Sequence, residues 1–139
     1  MKDSRRDAET QSEEALNLLS GKIVDAAYRI HSALGPGLLE SVYEAILARE
    51  LALLGLHVER QKPVPLEWDG LRFDEGFRAD LVINNCLVVE LKSVESLSPV
   101  HSKQLLTYLR LLNYRLGLLI NFGAPLIKDG LKRVANNML

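Results

Sequence analysis

Apolar residues recur at helical spacing through the first third of the chain and then alternate or run together, and that change of period predicts helices first and a sheet after them. Ile23, Ala26, Ala27, Ile30 and Leu34 mark one helical face with Ser20 as its N-cap. Gly35-Pro36-Gly37 ends that helix, since glycine tolerates positive φ and proline cannot continue the turn. A second helix runs to Gly55, with Leu39, Val42, Ile46 and Leu53 on one stripe and Tyr43, Leu47, Glu50 and Leu54 on the next. From His57 the pattern shortens. Val58, Pro63-Val64-Pro65, Trp68 and Phe73, punctuated at Asp69-Gly70, predict short antiparallel strands with a tight turn, and the prolines favour a sheet edge.

Ala79–Ile83 and Leu87–Ser93 are the strongest strands, joined by Asn84-Asn85 as a hairpin. Ser98-Pro99 opens a third helix whose buried side is Val100, Leu105, Leu106, Leu109 and Leu112. Arg115–Phe122 reads as another buried strand, and Leu126–Asn136 fits a helix or a short strand equally. Residues 1–15 are polar and predict a mobile arm, which leaves 16–139 as a single domain. The expected fold class is α/β, a central mixed sheet of four to five strands flanked by helices.

Two charges interrupt this pattern. Glu90 and Lys92 lie inside the apolar run Leu87-Val88-Val89-Glu90-Leu91-Lys92, and Asp80 precedes Glu90 by ten positions. An unpaired charge taken out of water costs several kcal/mol, roughly, so these groups need compensation. Strand pleat alone puts Glu90 and Lys92 on one side. Asp80 joins them only if Asn84, Asn85 and Cys86 form a three-residue loop with Ile83 opposite Leu87; a two-residue turn would send the carboxylates to opposite faces. A hard divalent cation held by both carboxylates, with Lys92 neutralising a phosphate, is one way to satisfy the charges. A structural salt bridge from Lys92 to Asp80 or Glu90 is the other.

Composition changes this picture little. Seventeen basic residues against eighteen acidic ones give a net charge of -1, which argues against indiscriminate coating of nucleic acid but not against a nuclease. The lone Cys86 excludes an intrachain disulfide and a cysteine zinc site. No apolar run approaches the roughly eighteen residues of a membrane span, and Met1–Asp7 lacks a signal-peptide core, so a cytoplasmic protein is the expectation. His31, His57 and His101 show no zinc spacing, and His31, at the edge of the first helix's apolar stripe, reads as a packing histidine.

Several blocks together resemble the PD-(D/E)xK nuclease superfamily, with its restriction-endonuclease-like core, and more closely its GxxExxY family. They are Ile30–Gly37, Gly37-Leu38-Leu39-Glu40-Ser41-Val42-Tyr43, Phe77-Arg78-Ala79-Asp80, Val89-Glu90-Leu91-Lys92, Gln104–Arg110 and Gly117–Phe122. The resemblance covers residues 20–137. It implies Asp80 and Glu90 as ligands of Mg²⁺ or Mn²⁺, Lys92 as the catalytic lysine, and Glu40 as an auxiliary acidic residue at the metal. Gln104 and Tyr108 match a Q-x-x-x-Y signature that implies substrate positioning. Plainer readings stand beside these: a first-turn acid favoured by the helix dipole for Glu40, an exposed helix former for Gln104, a half-buried aromatic for Tyr108. Arg78, Lys128, Lys132 and Arg133 fit phosphate contacts or solvated charges alike.

The expected function is metal-dependent hydrolysis of nucleic-acid phosphodiester bonds by a metal-activated water. The rival is a catalytically silent nuclease-fold binding or scaffold protein, and a third reading makes activity depend on a homodimer or a protein partner. The sequence leaves DNA against RNA, strandedness and end preference open.

Overall fold

The computed structural model describes residues 12–137. Helices α1 (Glu13–Leu34) and α2 (Glu40–Leu53) are followed by strands β1 (Val58–Trp68), β2 (Leu71–Ile83) and β3 (Leu87–Lys92), helix α3 (Pro99–Leu112), strand β4 (Leu116–Asn121), a 3-10 turn (Ile127–Gly130) and strand β5 (Leu131–Ala135). The five strands form one sheet in the order β1-β2-β3-β4-β5. Only β3 and β4 run parallel, because α3 supplies the crossover that parallel neighbours require. The architecture is the expected α/β fold with a mixed sheet. No helix among the described residues is long and apolar enough to cross a membrane.

Helix α1 starts earlier than expected. Ser12 caps it by accepting the Ala15 N–H at 3.2 Å, and Glu13 and Glu14 complement the helix dipole in the first turn. Ser20 lies inside the helix, its hydroxyl bonded to the Asn17 carbonyl. The buried stripe already includes Leu16 and Leu19, which pulls the start back by two turns. Residues 12–15 therefore belong to the domain; the remainder of the expected arm lies outside the described residues. In α2 the buried positions are Tyr43, Glu44, Leu47, Ala48 and Leu51, whereas Leu39 and Leu53 face solvent. Apolar residues on two sides of that helix disguised which side is covered.

The two strands expected to be short form one long hairpin. Asp69 and Gly70 both adopt left-handed φ (48° and 82°), the requirement of the two-residue turn that matches strand twist. Strand β1 is at the sheet edge, where Pro63 and Pro65 break no central ladder. Strand β3 pairs with β2 only from Leu81 to Ile83, so the hairpin beyond projects as a two-stranded ribbon. Its apolar pairs are Val64/Phe77, Leu66/Phe73 and Trp68/Leu71, with a shift of register between the first and the second.

The second hairpin decides the register. Asn84 and Asn85 are left-handed (φ 51° and 54°), Cys86 N–H closes the turn onto Ile83 O at 3.0 Å, and Cys86 is then an extra residue before the ladder. Pairing starts at Ile83↔Leu87 and continues through Val82↔Val88 and Leu81↔Val89, the three-residue-loop register. Leu81, Ile83, Leu87, Val89 and Leu91 consequently pack with α1 and α2, while Val82 and Val88 pack with Leu105 and Leu109 of α3. Each such side chain contributes about 1.5–3 kcal/mol on burial. Cys86 is 1% exposed, and burial pushes its thiol up to about 11, which makes it an inert packing group.

The segment Leu126–Asn136 contains one 3-10 turn and then β5, antiparallel to β4, so both elements that its sequence allowed occur in part. At the C-terminal end of β4, Asn121 is buried and bonded at both ends of its amide: Oδ1 accepts Val94 N–H and Gly123 N–H, and Nδ2 donates to Val94 O. Phe122 N–H bonds Lys92 O at 2.8 Å. These bonds tie the exit of β3 to the exit of β4. Gly123 allows the approach, since a Cβ there would lie 2.3 Å from Val94 O. Gly123→Ala is therefore expected to destabilise the fold by about 1–3 kcal/mol, as overpacking does. Urea unfolding measures it; an unchanged midpoint would show that the two strand ends are not clamped.

Candidate active site

The pleat of β2 breaks at Asp80. Ala79 packs in the α3 core and Leu81 in the α1/α2 core, although residues two apart on a regular strand face the same way. Across the ladder, Gln61 has φ 49°, and regular pairing skips from Arg60↔Leu81 to Lys62↔Ala79. Asp80 is thus released from the ladder at the point where β2 parts from β3. Its N–H donates to Glu90 Oε1 at 3.3 Å, its Oδ2 accepts Leu91 N–H at 2.9 Å, and its Oδ1 accepts Gln61 Nε2 at 3.2 Å. Asp80 and Glu90 meet as the three-residue loop required.

Glu90 is 8% exposed. Burial, and then the negative charge of Asp80, push its carboxyl up to about 9, with Lys92 opposing the shift. A carboxylate with so little solvent, set against a second one at half-buried Asp80, does not ionise cheaply unless a cation sits with the pair. Lys92 closes β3 half-buried, two positions beyond Glu90, with its carbonyl anchored by Phe122. No ion pair joins Lys92 to either carboxylate among the described residues, so the simple salt bridge is not formed.

Tyr108 of α3 stands over this centre. Its ring stacks on Phe77 with centroids 4.0 Å apart, and its hydroxyl is shifted up by burial and then by the charges of Glu90 and Asp80. Gln104, one turn earlier, is exposed, and its side chain makes no hydrogen bond among the described residues. The two members of the expected Q-x-x-x-Y pair are thus differently placed.

Glu40 is exposed in the first turn of α2, and its side chain likewise makes no hydrogen bond among the described residues. Its helix is nevertheless fixed beside the end of β3. The Tyr43 hydroxyl donates to Gly35 O at 2.5 Å and accepts from Leu38 N–H, its ring stacks on Phe122 at 4.5 Å, and Ser93 Oγ donates to Leu38 O at 2.8 Å. The Gly37–Tyr43 motif thereby sets the start of α2 next to Lys92-Ser93.

Two residues that the sequence did not single out join the centre. Glu44, 6% exposed, accepts Arg60 Nε and Nη2 on Oε2 and Gln61 Nε2 on Oε1 at 2.5 Å. Gln61 therefore bridges Glu44 and Asp80. Glu44 was discoverable by the argument applied to Glu90, a carboxylate between buried apolar positions; Gln61 carried no signal. The other candidates have ordinary roles. His31 is buried with Nε2 donating to Ala124 O, His101 Nδ1 accepts Ser98 N–H at the α3 cap, Arg78 pairs with Glu75, and Arg133 bonds Asn17.

The family profile described as the PD-(D/E)XK nuclease superfamily matches residues 17–134. The chain belongs to this superfamily. No curated protein and no solved structure matches it. PD-(D/E)XK nucleases generally use divalent metals, and membership implies nucleic acid as substrate or partner. Among the described residues no three His, Cys, Asp or Glu side chains converge on one point, so the donors present are the carboxylates of Asp80 and Glu90. A mutually repelling, all-oxygen pair, with Glu90 buried and Asp80 half-buried, suits a hard divalent cation, and the donor chemistry therefore fits the superfamily's metal.

The Glu90 shift fixes a pH dependence. Its carboxyl ionises near 4.5 when unfolded and near 9 when folded. Below the first value both states are protonated; between the two only the unfolded chain releases the proton, so stability falls as pH rises until the folded carboxyl also ionises. In chelator, the urea midpoint of the wild type is expected to decline from about pH 5 to about pH 9 more steeply than that of Glu90→Gln. Parallel curves would show that the fold does not hold this carboxyl neutral.

Proposed function

We propose that the chain is a nuclease dependent on Mg²⁺ or Mn²⁺, of the GxxExxY type within the superfamily, hydrolysing phosphodiester bonds of nucleic acid. The observation that carries the reading is the contact between Asp80 and Glu90 at the break in the sheet, with Lys92 at the end of the same strand. Asp80 and Glu90 would hold the cation, and Glu40, exposed at the start of α2 and not grouped with them, would add negative charge from outside that pair. Bound there, the cation supplies a lowered pKa for a water and compensation for charge on the scissile phosphate.

The protein's own groups divide the remaining work. Lys92 places an ammonium beside the carboxylates, where it orients the attacking water and offsets phosphate charge. Tyr108, held flat on Phe77, offers a hydroxyl to the substrate, and exposed Gln104 offers an amide from the same helix face. The buried wall of the sheet keeps Glu90 from bulk water, which strengthens every electrostatic contact made there.

Purified protein incubated with Mn²⁺ or Mg²⁺ and labelled single- and double-stranded DNA and RNA is expected to cleave at least one class. Asp80→Ala and Lys92→Ala should each lower the rate by about 10²–10³-fold or more. Cation binding without cleavage on any substrate would favour a silent scaffold, and cleavage appearing only with self-association or an added protein would assign grip to a partner. Absence of cation binding would overturn the reading.

A further inference from the structure

We propose that Gln61 is a positioning residue for Asp80, holding the carboxylate in its site-facing orientation by anchoring it to Glu44; the inference rests on the reading of Asp80 as a metal ligand. Three observations converge on it. Gln61 has a left-handed backbone (φ 49°) inside an eleven-residue strand. Such a conformation is costly for a residue with a side chain, and it persists where the surroundings hold it, often at functional sites. The outlier lies across the ladder from Asp80, at the break in the pleat that frees Asp80 from regular pairing.

The side chain supplies the second observation. Gln61 Nε2 is 2.5 Å from Glu44 Oε1 and 3.2 Å from Asp80 Oδ1. Both neighbours are carboxylates, which when ionised can only accept, so the amide nitrogen with its two N–H groups is the end of glutamine that can satisfy both. A carboxylate in its place would add a third negative charge, and a lysine would neutralise the centre and compete with a cation. The neutral double donor fixes Asp80 without changing the net charge of the metal site.

The third observation is the anchor. Glu44 is buried and held on its other oxygen by Arg60 Nε and Nη2 at 3.3 and 3.1 Å. Arg60 and Gln61 are consecutive, so one carboxylate from α2 grips two adjacent residues of β1. That grip holds the edge strand in the distorted conformation and carries the position of α2 through to Asp80. Leu91 N–H fixes the second oxygen of Asp80 from β3. Ligand orientation then depends on two strands and one helix rather than on the Asp80 rotamer alone. Outer partners of this kind tune metal affinity without touching the metal.

Gln61 is exposed, so its removal opens no cavity, and Gln61→Gly also relieves the left-handed backbone. Gln61→Asn keeps an amide and tolerates the same backbone, but it is one methylene short of spanning both carboxylates. For each variant we would measure Mn²⁺ affinity by calorimetry, the melting temperature, and kcat and KM on a substrate the wild type cleaves. The expected result is a melting temperature equal to or above that of the wild type for Gln61→Gly, a Mn²⁺ Kd raised about 10–100-fold in both variants, and KM for nucleic acid unchanged. A merely structural role moves the melting temperature and leaves Kd alone. A Kd within about twofold of the wild type in either folded variant would overturn the proposal while leaving the nuclease reading intact. Wild-type protein that binds no Mn²⁺ would overturn the nuclease reading itself.

Discussion

A buried carboxylate set against a half-buried one is the constraint on which the rest of the site depends. Asp80 and Glu90 come from neighbouring strands, and Glu90 is shielded almost completely from solvent. A β-sheet packed by helices on both faces has no ordinary place for such a pair. The fold provides one by interrupting the ladder: β3 stops pairing with β2 at Leu81, β2 breaks its pleat at Asp80, and β1 passes through a left-handed residue at Gln61. Backbone groups released there are used rather than orphaned. Asp80 N–H and Leu91 N–H both donate to carboxylate oxygens of the pair.

Holding Lys92 at the same place takes a second set of contacts at the far ends of β3 and β4. Parallel pairing alone would leave the strand exits free to splay. Asn121 closes them by capturing Val94 through both ends of its amide, Phe122 bonds the Lys92 carbonyl, and Tyr43 stacked on Phe122 ties in the loop before α2. Ser93 completes the ring through Leu38 O. The exits of β3 and β4 and the start of α2 thus form one rigid unit, and Lys92 and Glu40 are both displayed from it.

Much of this was legible in the sequence where chemistry and periodicity agree. The Asn84-Asn85-Cys86 loop follows from requiring Asp80 and Glu90 to meet, and the edge position of β1 follows from Pro63 and Pro65. Helix α3 was readable from Ser98-Pro99 because cap and first-turn proline are local signals. The start of α1 was misread because Ser20 has the chemistry of a cap without the position of one; burial of Leu16 and Leu19, a tertiary effect, decided the matter. The long ribbon was read as short strands since prolines and charged residues interrupt its alternation, while the pairing that sustains it is cross-strand. Gln61 was illegible for a deeper reason. Its importance is created by a backbone conformation and by two carboxylates, Glu44 and Asp80, that lie seventeen residues before it and nineteen after it.

A comparison of two equally buried carboxylates shows why the uncompensated charge lies at Glu90 and not at Glu44. Glu44 is 6% exposed and Glu90 8%. Glu44 accepts from a guanidinium and an amide, so its charge is balanced within the protein by Arg60 and spread over both oxygens. Glu90 finds only Asp80 as a hydrogen-bonding partner among the described residues, and that partner brings a further negative charge. Equal burial therefore gives opposite outcomes: a compensated carboxylate serves as an anchor, and an uncompensated one is left to take up a proton or a cation. An arginine beside Glu90, as half-exposed Arg60 stands beside Glu44, would have given a quieter core. That the sheet instead sets Glu90 against Asp80 places the unmet charge at one point, and Lys92 and Tyr108 are gathered around that point.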